Sequence, residues 1–168
     1  LTNTTGTPTD VRLALRSRLD REYQPNYTLM LVASDGGTPP ESGTLTVHVT
    51  VLDANDNSPK FTNSTYTVAV REDLVTGMPV LRVTATDPDQ GVSGHVTYSL
   101  AADGGALSVS PFVIDRESGQ IIVDSPLDYE QFPVYNLLVT AQDSGPDSVP
   151  THARVIVNVI DVNDHKPT

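Results

Sequence analysis

The chain has 168 residues, 38% of them hydrophobic and none of them cysteine, and its 10 basic and 21 acidic side chains leave a formal charge of -11. Nothing resembles a basic patch, which argues against nucleic acid or an anionic membrane surface as partner and makes cations the natural one. No apolar run is long enough to span a membrane, so the expectation is soluble globular material of one to two domains, a piece of something longer. If the chain is secreted, some staple other than disulfides must rigidify it.

Residues 1–10 are Thr-rich with Gly6 and Pro8 and read as a loop. Val11, Leu13 and Leu15 then alternate with polar residues, as do Tyr27, Leu29 and Leu31, and Leu45, Val47, Val49 and Val51. Period-two alternation bounded by Gly, Pro or Asp clusters predicts half-buried strands. The stretch that follows, Asp53-Ala54-Asn55-Asp56-Asn57-Ser58-Pro59, has nothing apolar beyond Ala54 and reads as a linker. Its carboxylates and amides are hard oxygen donors that repel one another without a cation, and oxygen-only ligation points to Ca²⁺ rather than zinc. A solvated Asx-rich turn before a proline is the bland alternative.

Beyond the linker the alternation continues through Tyr66, Val68 and Val70, then Val80 to Thr86, Val96 to Leu100, Phe112 to Ile114, Gln120 to Val123, Val134 to Thr140 and Ala153 to Ile160. Turn signals stand at Gly77, Gly91, Gly94, Gly119 and Gly145. Seven short strands in a domain of this size predict an all-β, immunoglobulin-like Greek-key sandwich. The segment Ala101 to Ser110 is ambiguous and could form a helical turn.

An internal repeat decides between the two readings of the linker. Asp161-Val162-Asn163-Asp164-His165-Lys166-Pro167 follows the first such heptapeptide by 108 positions. The same offset carries Leu19-Asp20-Arg21-Glu22 onto Leu127-Asp128-Tyr129-Glu130, Ala33-Ser34-Asp35 onto Ala141-Gln142-Asp143, and Val47, Val49 and Val51 onto Val155, Val157 and Val159, without gaps. Residues 58–165 are therefore one whole repeat. Residues 1–57 are the second half of another, ending in the linker, and residues 166–168 begin the next linker. The offset leaves no equivalents of residues 58–108 for the first repeat. Half a sandwich exposes its inner face and unpaired edges, so residues 1–57 are expected to be poorly stable alone.

The paired LDRE and LDYE, the ASD and AQD before a glycine, DPDQG at Asp87 to Gly91, the Glu of Arg71-Glu72-Asp73 and the two DxNDxxP linkers together resemble the cadherin extracellular repeat. Stretches around DGGTPP, EDLVTG and TDPDQGVSG look most like protocadherins or the long Fat- and Dachsous-like cadherins. The resemblance implies calcium ions at each junction between repeats. Asp20 and Glu22 would come from the first repeat, and the side chains of Asp53, Asn55 and Asp56 with the carbonyls of Ala54 and Asn57 from the linker. The second repeat would add Asp87, Asp89, Asp143 and a carbonyl near Ser93, where the family more often has Asn. An early-strand Glu of the family pattern has no counterpart before Glu22, which should weaken the site nearest the first repeat. At the far end Glu72, Asp128, Glu130, Asp161, Asn163 and Asp164 would form half a site. Gathering the seven carboxylates of the first set without cations would set up strong repulsion, and calcium removes it, so ion binding becomes rigidity of the joint.

The resemblance implies a calcium-dependent cell-cell adhesion module of a cell-surface ectodomain, membrane-anchored in its parent and meeting other cadherin ectodomains homophilically or heterophilically. The alternative is a stiff spacer repeat without its own partner surface. Without any Trp, the strand-exchange mode of some cadherins has no support. Sequons at Asn3-Thr4-Thr5, Asn26-Tyr27-Thr28 and Asn63-Ser64-Thr65 lean toward a secreted glycoprotein, whereas Asn57-Ser58-Pro59 is excluded by its proline. Other chemistries fare worse. The loop from Asp87 has Tyr98 where an EF-hand needs Glu, Asp143-Ser144-Gly145 has no matching second copy for a protease dyad, and His48, His95, His152 and His165 show no metal spacing. No catalytic residues are expected. Arg12, Arg16, Arg18 and Arg21 form the only basic cluster and read as a solvated face, with a glycan or partner contact as the alternative.

Overall fold

A computed structural model describes residues 11–102 and 110–162 of the chain. The expectations for residues 1–10, for most of Ala101 to Ser110, and for Asn163 and Asp164 lie outside the described residues. Every regular element among the described residues is a β-strand, as the alternation predicts, and the chain divides into two compact units, Leu1–Leu52 and Asp53–Thr168.

In the first unit β1 (Asn26–Ser34) and β2 (Ser42–Thr50) form an antiparallel hairpin with Tyr27 opposite Val49, Leu29 opposite Val47 and Leu31 opposite Leu45. The strand expected around Val11, Leu13 and Leu15 is absent, and the repeat shows why. The offset maps Leu13 and Leu15 onto Ile121 and Val123 of a strand that pairs on both sides, with Pro79–Arg82 and with Phe112–Ile114. Among the described residues of the first unit, β1 and β2 pair only with each other. A strand without a ladder partner leaves its backbone groups to water. Leu13 and Leu15, with Leu19, line an apolar groove of about 230 Å³ against Tyr27, Leu29 and Val49.

The second unit holds β3 (Lys60–Phe61), β4 (Thr65–Arg71), β5 (Pro79–Arg82), β6 (Ala85–Thr86), β7 (Thr97–Ala102), β8 (Phe112–Ile114), β9 (Gln120–Val123), β10 (Val134–Gln142) and β11 (Thr151–Ile160). A four-stranded sheet runs β4-β11-β10-β7 with β4 parallel to β11, and it is accompanied by a three-stranded sheet β5-β9-β8 and a β3-β6 pair. This is an immunoglobulin-like β-sandwich. The run Val80 to Thr86, expected as one strand, is two. β5 pairs β9 and β6 pairs β3, with a register irregularity between Pro79 and Leu81. Between them the chain changes partner at Val83, whose N–H donates to Gly119 O at 3.0 Å. A Cβ at Gly119 would lie 2.4 Å from Val83 O, so only glycine admits that crossing. The two-residue β3, directly after Pro59, is too short to show as periodicity.

Inward residues of both layers meet in one core. Val83, Ile121 and Val123 face Leu137, Val139, Val155 and Val157, all fully buried, and each such aliphatic side chain contributes roughly 1.5–3 kcal/mol by its removal from water. Tyr98 adds a polar anchor. Its hydroxyl accepts from Ala85 N at 2.8 Å and donates to Ala85 O at 3.2 Å, which ties β7 to β6 just before the loop that carries Asp87 and Asp89.

Candidate metal centre

The two LDxE segments fold into the same turn. Asp20 Oδ1 accepts Tyr23 N at 2.9 Å and Asp20 O accepts Gln24 N at 2.9 Å. In the second unit Asp128 Oδ1 accepts Gln131 N and Asp128 O accepts Phe132 N, both at 2.9 Å. One carboxylate oxygen holds each turn, and in the second the other oxygen, Asp128 Oδ2, also accepts Gln131 Nε2 at 2.5 Å. Glu22 pairs with Arg21, and Glu130 is exposed.

The linker hydrogen-bonds to the loops of the second unit. Asp53 Oδ1 accepts Gln90 N at 3.2 Å. Asn55 Nδ2 donates to Asp143 Oδ1 at 3.1 Å and to Pro146 O at 2.5 Å. Asn57 donates to both oxygens of Asp89, from its backbone N at 3.2 Å and from Nδ2 at 2.7 Å. Asp56 is exposed, with Oδ1 accepting a second bond from Asn57 Nδ2 at 3.1 Å, and Ala54 O accepts Asp56 N at 2.8 Å. The loop from Asp87 to Gly91 is turned by its own first carboxylate, as Asp87 Oδ1 accepts Asp89 N at 3.0 Å. Asp89, Ser93 and Asp143 are buried, and Asp53 and Asp89 carry carboxylate oxygens within 4.8 Å of each other.

Four carboxylates, Asp53, Asp87, Asp89 and Asp143, are thus drawn to one end of the sandwich. Burial pushes the Asp87 carboxyl above its ordinary 3.8, against the bond from Asp89 N, and the charges of Asp89, Asp143 and Asp53 push it the same way. Burial acts to raise Asp143 too, but there the bonds from Ser148 Oγ, Gly145 N and Asn55 Nδ2 prevail and hold it below the ordinary value. Two buried oxygens in this cluster, Asn55 Oδ1 and Asp87 Oδ2, have no hydrogen-bond partner. An unpartnered buried carboxylate oxygen among like charges is costly, and an all-oxygen donor set of this kind fits a hard divalent cation such as Ca²⁺.

At the opposite end of the second unit Glu72 gathers two segments. Its Oε2 accepts Tyr129 N at 2.9 Å and its Oε1 accepts Val162 N at 2.6 Å, which brings the Asp128 turn and the start of the second DxND motif, with exposed Asp161, to the end of β4.

Sequence reasoning missed the groups that hold the ligands. Ser148 Oγ donates to Asp143 Oδ2 at 2.7 Å, and Gly145 N donates to Asp143 Oδ1 at 2.9 Å. Gly145 carries more than a turn. A Cβ there would lie 2.8 Å from Asn55 Cγ and Nδ2 and from Ser93 Oγ, and one at Gly94 would lie 2.0 Å from Asp89 O. Both glycines mark close backbone approaches at the cluster, which the turn signal alone does not distinguish.

Comparison with known proteins establishes the family. The chain belongs to the cadherin family, since residues 2–52 and 66–160 match the cadherin domain model. It is 44% identical over 156 residues to human protocadherin-12, covering 93% of this chain and 13% of that protein. It is also 44% identical over 155 residues to protocadherin-19 of Danio rerio, covering 92% and 14% respectively. Among solved structures, that of mouse clustered PcdhgC3 EC1-3 superposes with a TM-score of 0.81 at 39% identity, over 88% of this chain and 47% of that one. The chain therefore spans about one seventh of the length of these curated relatives.

Proposed function

We propose that the chain is a calcium-dependent adhesion segment of a cadherin ectodomain, stiffened by Ca²⁺ held at the linker Asp53 to Asn57. The observation that carries this is the pair of unpartnered buried oxygens, Asn55 Oδ1 and Asp87 Oδ2, among the carboxylates of Asp53, Asp89 and Asp143. Bound calcium supplies positive charge that offsets the mutual repulsion of these groups. The chain's own part is orientation. Asn55 Nδ2 is anchored on Asp143 and Pro146 and so presents its Oδ1 inward, Asn57 aligns Asp89, and Gln90 N aligns Asp53. The ligand set is completed by the carbonyls of Ala54, Asn57 and Ser93, by Asp56, and by Asp20 and Glu22 of the first repeat. Glu72, Asp128, Glu130, Asp161, Asn163 and Asp164 serve the following junction.

Because the linker residues are themselves ligands, ion binding free energy becomes order of the linker. The module binds and stiffens; it catalyses nothing. Its partners are other cadherin ectodomains at the cell surface. Isothermal titration of the whole chain with Ca²⁺ tests the site. Saturable binding that Asp89→Ala weakens by tenfold or more is expected, on the order of what a lost ligand or its support costs, and a flat titration of the parent chain refutes it. Beads coated with the chain test adhesion. Aggregation in calcium that a chelator reverses supports it, while calcium binding without aggregation leaves the spacer reading.

A further inference from the structure

Two of the three Asn-X-Ser/Thr tripeptides fall within the described residues, and their surroundings differ. Asn26 opens β1, and its Oδ1 accepts a hydrogen bond from Thr50 Oγ1 at 3.2 Å across the ladder. The Thr28 hydroxyl of the same tripeptide is 3.2 Å from His48 Nδ1, on the residue opposite it in β2. The Asn26 amide oxygen and the Thr28 hydroxyl, both on exposed residues, are thus engaged with the neighbouring strand of a regular ladder. Asn63 lies in the turn between β3 and β4, outside either ladder. The backbone there is pinned, because Thr62 N and Oγ1 both donate to Thr84 O, Asn63 N donates to the Tyr66 hydroxyl at 3.3 Å, and Arg154 N donates to Ser64 O at 3.0 Å. The side chains of Asn63 and Thr65 are exposed and make no hydrogen bond among the described residues.

We propose that Asn63 is the N-glycan acceptor of the second unit and that Asn26 is passed over. The proposal rests on the extracellular reading above, which takes the chain through the secretory pathway. There the bond between an oligosaccharide and its lipid diphosphate carrier breaks, the Asn63 Nδ2–C1 bond forms, and the amide proton leaves with the carrier's release. The backbone pinning means that the turn keeps its shape whether or not the side chain is substituted. The site also stands at the start of β4, an edge strand of the four-stranded sheet, whose outer backbone groups are open to another strand. A bulky, uncharged glycan there shields that edge.

The test sends the whole chain through cultured mammalian cells behind an added signal sequence and digests the secreted product with N-glycosidase F in heavy-oxygen water. Peptide mass mapping is expected to place the heavy-oxygen aspartate at position 63 in most molecules and at position 26 in few. Asn63→Gln and Thr65→Ala, two changes of different chemistry at exposed positions, should each lose one mobility step on electrophoresis, and Asn26→Gln none. Secreted chain with an unmodified Asn63 peptide, or label at position 26 equal to that at 63, overturns the proposal. Calcium titration of glycan-free bacterial chain is independent of this result, so failure of the glycan site and failure of the calcium reading are distinguishable.

Discussion

The two units run the same hairpin with different cores. β1 and β2 pair in the register of β10 and β11 once the 108-residue offset is applied, Tyr27 against Val49 as Tyr135 against Val157. The bond closing each hairpin is repeated as well, from Val51 N to Pro25 O at 2.8 Å and from Val159 N to Pro133 O at 2.9 Å. Yet Leu137, Val155 and Val157 are completely buried under Val83, Ile121 and Val123, while Leu29, Val47 and Val49 are only half-buried. Backbone register and turn chemistry are thus local properties, set within about thirty residues of chain. Core burial is not local, and it needs the opposite layer.

The largest expected effect separates the units directly. Leu137→Ala should cost about 2–5 kcal/mol as a buried cavity, whereas its counterpart Leu29→Ala should cost less than about 1.5 kcal/mol. Residue-resolved hydrogen exchange reads both, and equal losses would mean that the first unit has a closed core after all. Next comes Tyr98→Phe, which strips Ala85 N and O of their shared partner and should cost about 1–3 kcal/mol in denaturant unfolding of the second unit.

Smaller effects sharpen the contrast at the carboxylate cluster. Gly145→Ala pushes a methyl into Asn55 and Ser93 and should weaken calcium about tenfold by titration. Gly36→Ala, in the matching loop of the first unit, meets nothing within 4 Å and should change stability by less than about 0.5 kcal/mol. Asp87→Asn should change sign with the ion. In calcium at neutral pH it destabilises, because a ligand is lost. In calcium-depleted buffer it stabilises, because a buried charge among carboxylates is removed. The folded state raises the Asp87 pKa and so binds its proton more tightly than the unfolded chain, whose value is near 3.8. Acidification through the raised pKa toward 3.8 therefore returns stability to the parent, and the calcium-free gap between parent and variant should close along that interval in pH-dependent melts.

The sandwich was legible because Tyr66, Val68 and Val70, or Val155, Val157 and Val159, alternate cleanly and the repeat doubles each signal. Misreadings fell where local pattern and long-range pairing part. Val11, Leu13 and Leu15 have the alternation of a strand but lack ladder partners among the described residues, and the run Val80 to Thr86 changes partner at Val83, which alternation cannot register. At the cluster, Asp53, Asn55, Asp87, Asp89 and Asp143 stand out through their oxygen chemistry and are brought together in the second unit. Ser148, Gly94 and Gly145 could not be distinguished from ordinary turn residues, because Ser148 and Gly94 act within their own loops, on Asp143 and Asp89 five positions away, and Gly145 acts on Asn55, ninety positions away.

The most direct test is thermal unfolding of the whole chain in saturating calcium and after calcium removal, repeated for Asp89→Ala. Ligand at a hundred times its dissociation constant adds about 2.7 kcal/mol to the folded state, which for a chain of this size moves the midpoint by roughly 5–10 °C. The parent chain should show that gain and Asp89→Ala should lose most of it. Coincident curves for the parent with and without calcium would contradict the claim that the linker and its carboxylates form a cation site.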